Sequence, residues 1–153
     1  MSIHPGQLRE YIIRPVLNRI GLYSEAAEEL LMLTAATESL CGKYIHQVGG
    51  PALGIFQMEP RTHDDIWDNF LKYKPDLASH VKHYGRLSQQ LPGNLYYACA
   101  MARVHYLRVS ERLPSAMDVD GLARYWKAHY NTHLGAGKPH EAAENYQRFA
   151  VVD

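Results

Sequence analysis

The sequence predicts a mainly α-helical protein, one domain built on a buried central helix with a short irregular, β-like segment beside it. Three observations carry this expectation. Apolar residues recur at helical spacing through most of the chain. Residues 30–36 (Leu-Leu-Met-Leu-Thr-Ala-Ala) are apolar on nearly every side, as befits a helix in the middle of a core. From Gly42 to Pro60, three further glycines and Pro51 interrupt the rhythm. A length of 153 residues suits a single core, and 46% hydrophobic against 21% charged residues argues against disorder.

A first helix is expected over residues 7–20, where Leu8, Ile12, Ile13, Val16, Leu17 and Ile20 form one stripe and Gly21 stops it. Pro15 lies inside this stretch and should kink or split it. Ser24 has the position of an N-cap for the central helix, with Glu28 and Glu29 in its opening turns and its end near Glu38 and Ser39. Residues 44–46 suit a short strand. Further helices are expected at 62–72, 79–84, 94–109, 118–130 and 141–151, with Thr62, Asn94 and Asp118 as caps. Residues 85–93, closing in Pro92-Gly93, form a loop. Cys41 and Cys99 lie in unlike settings and are expected to be buried free thiols.

Glu38 is the chemically unusual residue of this layout. It ends a helix whose preceding eight residues carry no charge. Lost hydration there raises a carboxyl pKa, and the negative end of the helix dipole pushes the same way. Both effects favour a group still protonated near neutral pH, the form that donates a proton in glycoside cleavage.

The segment that follows supplies context. Residues 52–62 read Ala-Leu-Gly-Ile-Phe-Gln-Met-Glu-Pro-Arg-Thr. Together with Glu38-Ser39 this resembles the lytic transglycosylase family of the lysozyme-like superfamily, of the soluble, goose-lysozyme-like type. That family carries Glu-Ser and then Gly-Ala-x-Gly-Leu-Met-Gln-x-Met-Pro-x-Thr, and Ala52, Gly54, Gln57, Pro60 and Thr62 fall at matching spacings. Asn94-Leu95 and the apolar helix after it resemble a further family block. Ala128-His129-Tyr130-Asn131 resembles the family's Ala-Tyr-Asn segment, and Glu144-Asn145-Tyr146 its closing Glu-x-x-Tyr helix. The resemblance covers about residues 24–150. Four departures stand out: a Glu38-to-Gln57 interval longer by one, no counterpart to the family serine near Gln47, Glu59 in place of the second methionine, and Thr132-His133-Leu134-Gly135 after Asn131. His46 or Gln47 is the expected substitute for the missing serine.

The resemblance implies a lysozyme-like catalytic domain over residues 1–153, with residues 1–23 as a helical extension packed on it. It implies cleavage of the β-1,4 bond between N-acetylmuramic acid and N-acetylglucosamine in peptidoglycan, giving 1,6-anhydro ends. Glu38 would be the acid and then the base, with Ser39, Ala52, Gly54, Gln57, Tyr130, Asn131 and Tyr146 as substrate-binding residues. Small residues at 52 and 54 would let backbone approach a sugar closely. A muramidase would instead need a second carboxylate to activate water; Glu59 and Asp64 are the named candidates, with Asp65 beside them. A non-catalytic wall-binding or virion structural protein is the alternative from another class.

Lys plus Arg (16) equals Asp plus Glu (16), so no strong field draws the chain to nucleic acid or an anionic membrane. The expected partner is the peptidoglycan glycan strand, with the protein a monomer. Neither a cofactor nor a metal is expected: His129 and His133 share an i, i+4 spacing, but glycines at 135 and 137 break the helix before His140. Trp67, Tyr96, Tyr97, Tyr106 and Trp126, at helical spacing, are expected mostly in the core. The first residues lack the features of a secretory signal and no apolar run could span a bilayer. By analogy a phage lysis or cell-entry protein is expected, made in the host cytoplasm and reaching the wall after release or in a virion.

Overall fold

A computed structural model describes residues 2–131 and 137–151. The described residues form seven helices. Helix α1 is one rod in three parts, an α-turn Pro5–Gln7, a π-helical stretch Leu8–Ile13 and an α-helix Arg14–Arg19. The π-stretch answers Pro15. A proline lacks an N–H and its ring crowds the preceding turn, and the wider turn before it, closed by Arg14 N–H to the Arg9 carbonyl, relieves both. The rod bends its register without breaking. Gly21, at φ +74°, ends it.

Helix α2, Glu25–Ser39, is the buried centre. Its cap is Ser24, whose Oγ accepts from the Ala27 N–H at 3.0 Å. Every residue from Leu30 to Ala36 is buried, and α1, α5, α6 and α7 all pack on this helix. Such enclosure explains why its sequence has no polar face. Beyond Ser39 the chain turns sharply, with Leu40 and Cys41 both in the left-handed region (φ 52° and 54°). Non-glycine residues are strained there, so the turn needs external support. Three contacts give it: Ser39 Oγ accepts from the Gly42 N–H, Cys41 N–H donates to the Ala35 carbonyl, and Ile3 N–H donates to the Cys41 carbonyl.

Residues 42–59 have no extended strand. The expected strand at 44–46 reduces to one bridge, His46 with Leu53, and a second antiparallel bridge joins Leu53 to Met58. Leu53 and Met58 exchange both backbone bonds (2.9 and 3.0 Å) and close the loop 54–57. Gly54 takes φ +81° in that loop, and a Cβ on it would stand 2.6 Å from the Leu91 carbonyl oxygen.

The remaining helices are α3 (Pro60–Asn69), α4 (Pro75–Lys82), α5 (Leu95–Leu107), α6 (Val119–Trp126) and α7 (Pro139–Phe149). Short 3-10 turns sit at Leu71–Tyr73 and Ser88–Gln90, the second inside the expected loop. Asn94 and Asp118 cap α5 and α6 as expected. Thr62 caps nothing, because α3 begins two residues earlier with Pro60 at its first position. Helix α6 continues as a π-helical turn, Lys127–Asn131. One core unites these elements and includes Leu8, Ile13, Val16, Leu17 and Ile20 of α1. Both thiols are free and buried. No helix among the described residues is long and apolar enough to cross a membrane.

Candidate active site

Glu38 occupies the last turn of α2, at the point where the buried helix reaches a cleft of about 570 Å³. Six parts of the chain wall that cleft. The end of α2 gives Thr37 and Glu38, the irregular segment gives Gln47, Ala52 and Gln57, and α3 opens with Glu59 before it and Thr62 in its first turn. His105 of α5 stands at the back. From α6 come Trp126, Tyr130 and Asn131, and from α7 and its approach come Lys138, Glu141 and Asn145. The walls are predominantly polar, as a sugar-binding cleft requires and a lipid-binding one does not.

The Glu38 carboxyl is pushed up to about 7. Desolvation is the main cause, since its surroundings on α2 are apolar; hydrogen bonds from Trp126 and Asn131 favour the ionised form and offset part of the rise. The indole Nε1–H of Trp126 donates to Glu38 Oε2 at 2.9 Å. An indole N–H cannot accept, so a proton shared with Trp126 through that oxygen is impossible and Oε2 stays the acceptor. Asn131 is oriented by Lys127, whose Nζ donates to Asn131 Oδ1 at 2.9 Å, which leaves the amide N–H₂ for the acid.

The π-turn explains how α6 brings these groups together. In an α-helix, residues five apart point in different directions, whereas the wider π-turn sets position i beside i+4 and i+5. Trp126, Tyr130 and Asn131 therefore face the cleft as one group. Tyr130 is braced within it: its hydroxyl donates to the Phe56 carbonyl at 2.6 Å, and its ring stacks on Tyr106 at 5.1 Å between centroids. His105 meets the Tyr130 ring edge-on at 4.9 Å and is pushed down to about 4, chiefly by burial, so it is neutral in the working range. Gly137 lies against the Trp126 ring, where a Cβ would come within 2.4 Å of the indole.

The sequence-expected residues separate into groups. Glu38, Ala52, Gln57, Tyr130 and Asn131 share the cleft. Gln57, at φ 50°, also donates from Nε2 to the Gly54 carbonyl at 2.9 Å and thereby holds its loop. Ser39 is fully enclosed, with its hydroxyl donating to the Ile55 carbonyl at 2.6 Å; it ties the irregular segment to α2 and stands outside the lining of the cleft. Gly54 is demanded by its backbone angle and the Leu91 carbonyl, and it stands outside the lining of the cleft. Tyr146 is nearly buried on another face of α7, where its hydroxyl donates to Glu29.

Of the second-carboxylate candidates, Glu59 lines the cleft, whereas Asp64 is exposed and bound to His63 Nδ1 at 2.8 Å. Asp65 pairs with Arg108 at 2.7 Å. Neither His46 nor Gln47 bonds the acid: His46 Nδ1 contacts the Gln47 carbonyl, and Gln47 Oε1 accepts from the Ala52 N–H. Their expected duty falls to Trp126 and Asn131. His129 pairs with Glu111, and His133 lies outside the described residues. Of the five aromatics at helical spacing, Trp67, Tyr97, Tyr106 and Trp126 are buried and Tyr96 is exposed.

Trp126 and Glu141 are among the cleft groups that sequence reasoning did not place there. Trp126 reads as a core aromatic, and its ring is buried; only the packing of α6 on α2 reveals that its indole N–H meets the acid. Glu141 reads as a first-turn helix acid, because nothing in the sequence says that this end of α7 faces Glu38. Comparison of the chain with protein-family models, with curated proteins and with solved structures gave no match.

Proposed function

We propose that the chain is a lysozyme-like enzyme that cleaves the N-acetylmuramic acid–N-acetylglucosamine β-1,4 bond of peptidoglycan, as a lytic transglycosylase. The observation that carries this reading is a carboxyl group held near pKa 7 at the mouth of a buried helix, inside a polar cleft with Gln57, Tyr130 and Asn131. Mere binding needs no such acid, since burying a carboxyl costs stability and gains nothing in affinity for a neutral sugar.

In this mechanism Glu38 gives its proton to the glycosidic oxygen as the C1–O bond breaks. The substrate's own N-acetyl group stabilises the charge at C1, the role a second carboxylate plays elsewhere. Ionised Glu38 then takes the proton of the muramic C6 hydroxyl, whose oxygen closes on C1. No water is consumed, and the acid regains its proton. One carboxyl serves both steps because they occur in sequence. Trp126 and Asn131 stabilise the ionised form between them.

Hydrolysis is the second reading, favoured by Glu59 and Glu141 on the same cleft walls, either of which could activate water. Digesting purified sacculi tests both. Glu38→Gln should reduce muropeptide release at least a thousandfold with an unchanged circular dichroism spectrum, and full activity in that variant would sink the mechanism. Masses of the wild-type products decide the rest, because anhydro ends are lighter than reducing ends by one water.

A further inference from the structure

A second hollow lies on the other side of α3. Thr62 faces the cleft, whereas Trp67 and Asp68, five and six residues further along α3, are turned away from it at 100° per residue, and Leu71 follows in the 3-10 turn beyond. This groove, about 620 Å³, runs between α3 and α4. Its floor is apolar and buried: Trp67, Leu71 and Ala78. Its rim is exposed and cationic: Lys72, Lys82 and Arg86, with Ser79 adding a hydroxyl and Asp68 the one carboxylate.

The cations converge. The Arg86 guanidinium stands 4.2 Å from the Trp67 ring centroid and the Lys82 ammonium 5.9 Å from the same centroid. Among the described residues none of the three rim cations is in an ion pair, although the chain has as many acids as bases. Two like charges gathered over one indole repel each other, and an anion between them relieves that repulsion. Held over the Trp67 ring, the Arg86 guanidinium offers its N–H groups to a planar, bidentate acceptor.

We propose that this groove binds a short acidic peptide with small apolar side chains, its carboxylates held by Lys82, Arg86 and Lys72 and its methyl groups on the Trp67–Leu71–Ala78 floor. The apolar floor favours such a peptide over a bare inorganic anion. The stem peptides of peptidoglycan have this chemistry, so the ligand's source rests on the proposed function while the groove itself does not. Glycan in the cleft and peptide in the groove would grip one polymer on two sides of α3.

The test uses full-length Glu38→Gln protein, which binds without turnover, in calorimetric titrations with a free stem tetrapeptide, an N-acetylglucosamine oligomer and inorganic phosphate. The tetrapeptide should bind and weaken with salt, and Lys82→Glu should reduce its affinity at least tenfold while leaving the sugar oligomer's affinity unchanged. Arg86→Lys, which keeps the charge and loses the fork, should weaken it less. No tetrapeptide binding to the parent protein, equal binding to Lys82→Glu, or equal affinity for phosphate overturns the proposal. Activity of wild type on sacculi is scored separately, so failure of the groove and failure of the active-site reading are distinguishable.

Discussion

At the scale of single residues, the central relation is between Glu38 and Trp126. In the proposed mechanism Glu38 begins protonated, so activity should fall as pH rises through its pKa, placed at about 7. The indole N–H favours the ionised form and therefore holds that pKa down. Trp126→Phe keeps an aromatic ring in place and removes the donor. A hydrogen bond to a charged group contributes about 1.5–3 kcal/mol, and about 1.4 kcal/mol corresponds to one pH unit. The alkaline limb of the pH–rate profile on sacculi should thus move up by roughly one to two units. A ring that merely fills the core would leave the limb where it is. Of this pair the sequence disclosed the acid, through the uncharged run before it, and concealed the donor, because helical spacing marks Trp126 as core without showing that its N–H meets Glu38.

At the scale of elements, prolines explain where the expected boundaries went astray. Helices α3, α4 and α7 were expected to begin at residues 62, 79 and 141, and they begin with Pro60, Pro75 and Pro139 at the first position. The missing N–H of proline costs nothing in the first turn, where the amide has no helical partner. Where side-chain caps open the helix, at Ser24, Asn94 and Asp118, the starts were legible. Loop 54–57 shows the opposite limit. Its glycine was legible as a special position, but the reason lies in a contact no sequence displays, the Leu91 carbonyl. Gly54→Ala must therefore carry both a left-handed backbone and a collision, and should cost about 2 kcal/mol or more. Thermal unfolding measures the loss. Since the loop also sets Gln57 at the cleft, activity at a permissive temperature should fall as well.

At the scale of the whole molecule, helix α1 packs into the same core that holds the cleft. Leu8, Ile13, Val16, Leu17 and Ile20 are all at most 4% exposed. Burying five such side chains contributes roughly 10 kcal/mol, against a net stability of about 5–15 kcal/mol for a whole domain. Arg9 and Arg14 also neutralise the buried Glu28, Arg9 binds Glu29, and Tyr146 brings α7 onto that same Glu29. Without α1, two acids of the central helix would lose their counter-charges, and a buried unpaired charge is among the costliest defects a fold can carry. The Ile3 N–H beneath the left-handed turn after Glu38 would go too. Deleting residues 2–21 should therefore abolish cooperative thermal unfolding, followed by circular dichroism, and not merely lower the midpoint. A milder variant separates the two contributions: Arg9→Met keeps the apolar packing and removes one counter-charge. It should still unfold cooperatively, at a midpoint several degrees below wild type. A truncated chain that melts in one sharp transition would show that helices α2 to α7 fold unaided.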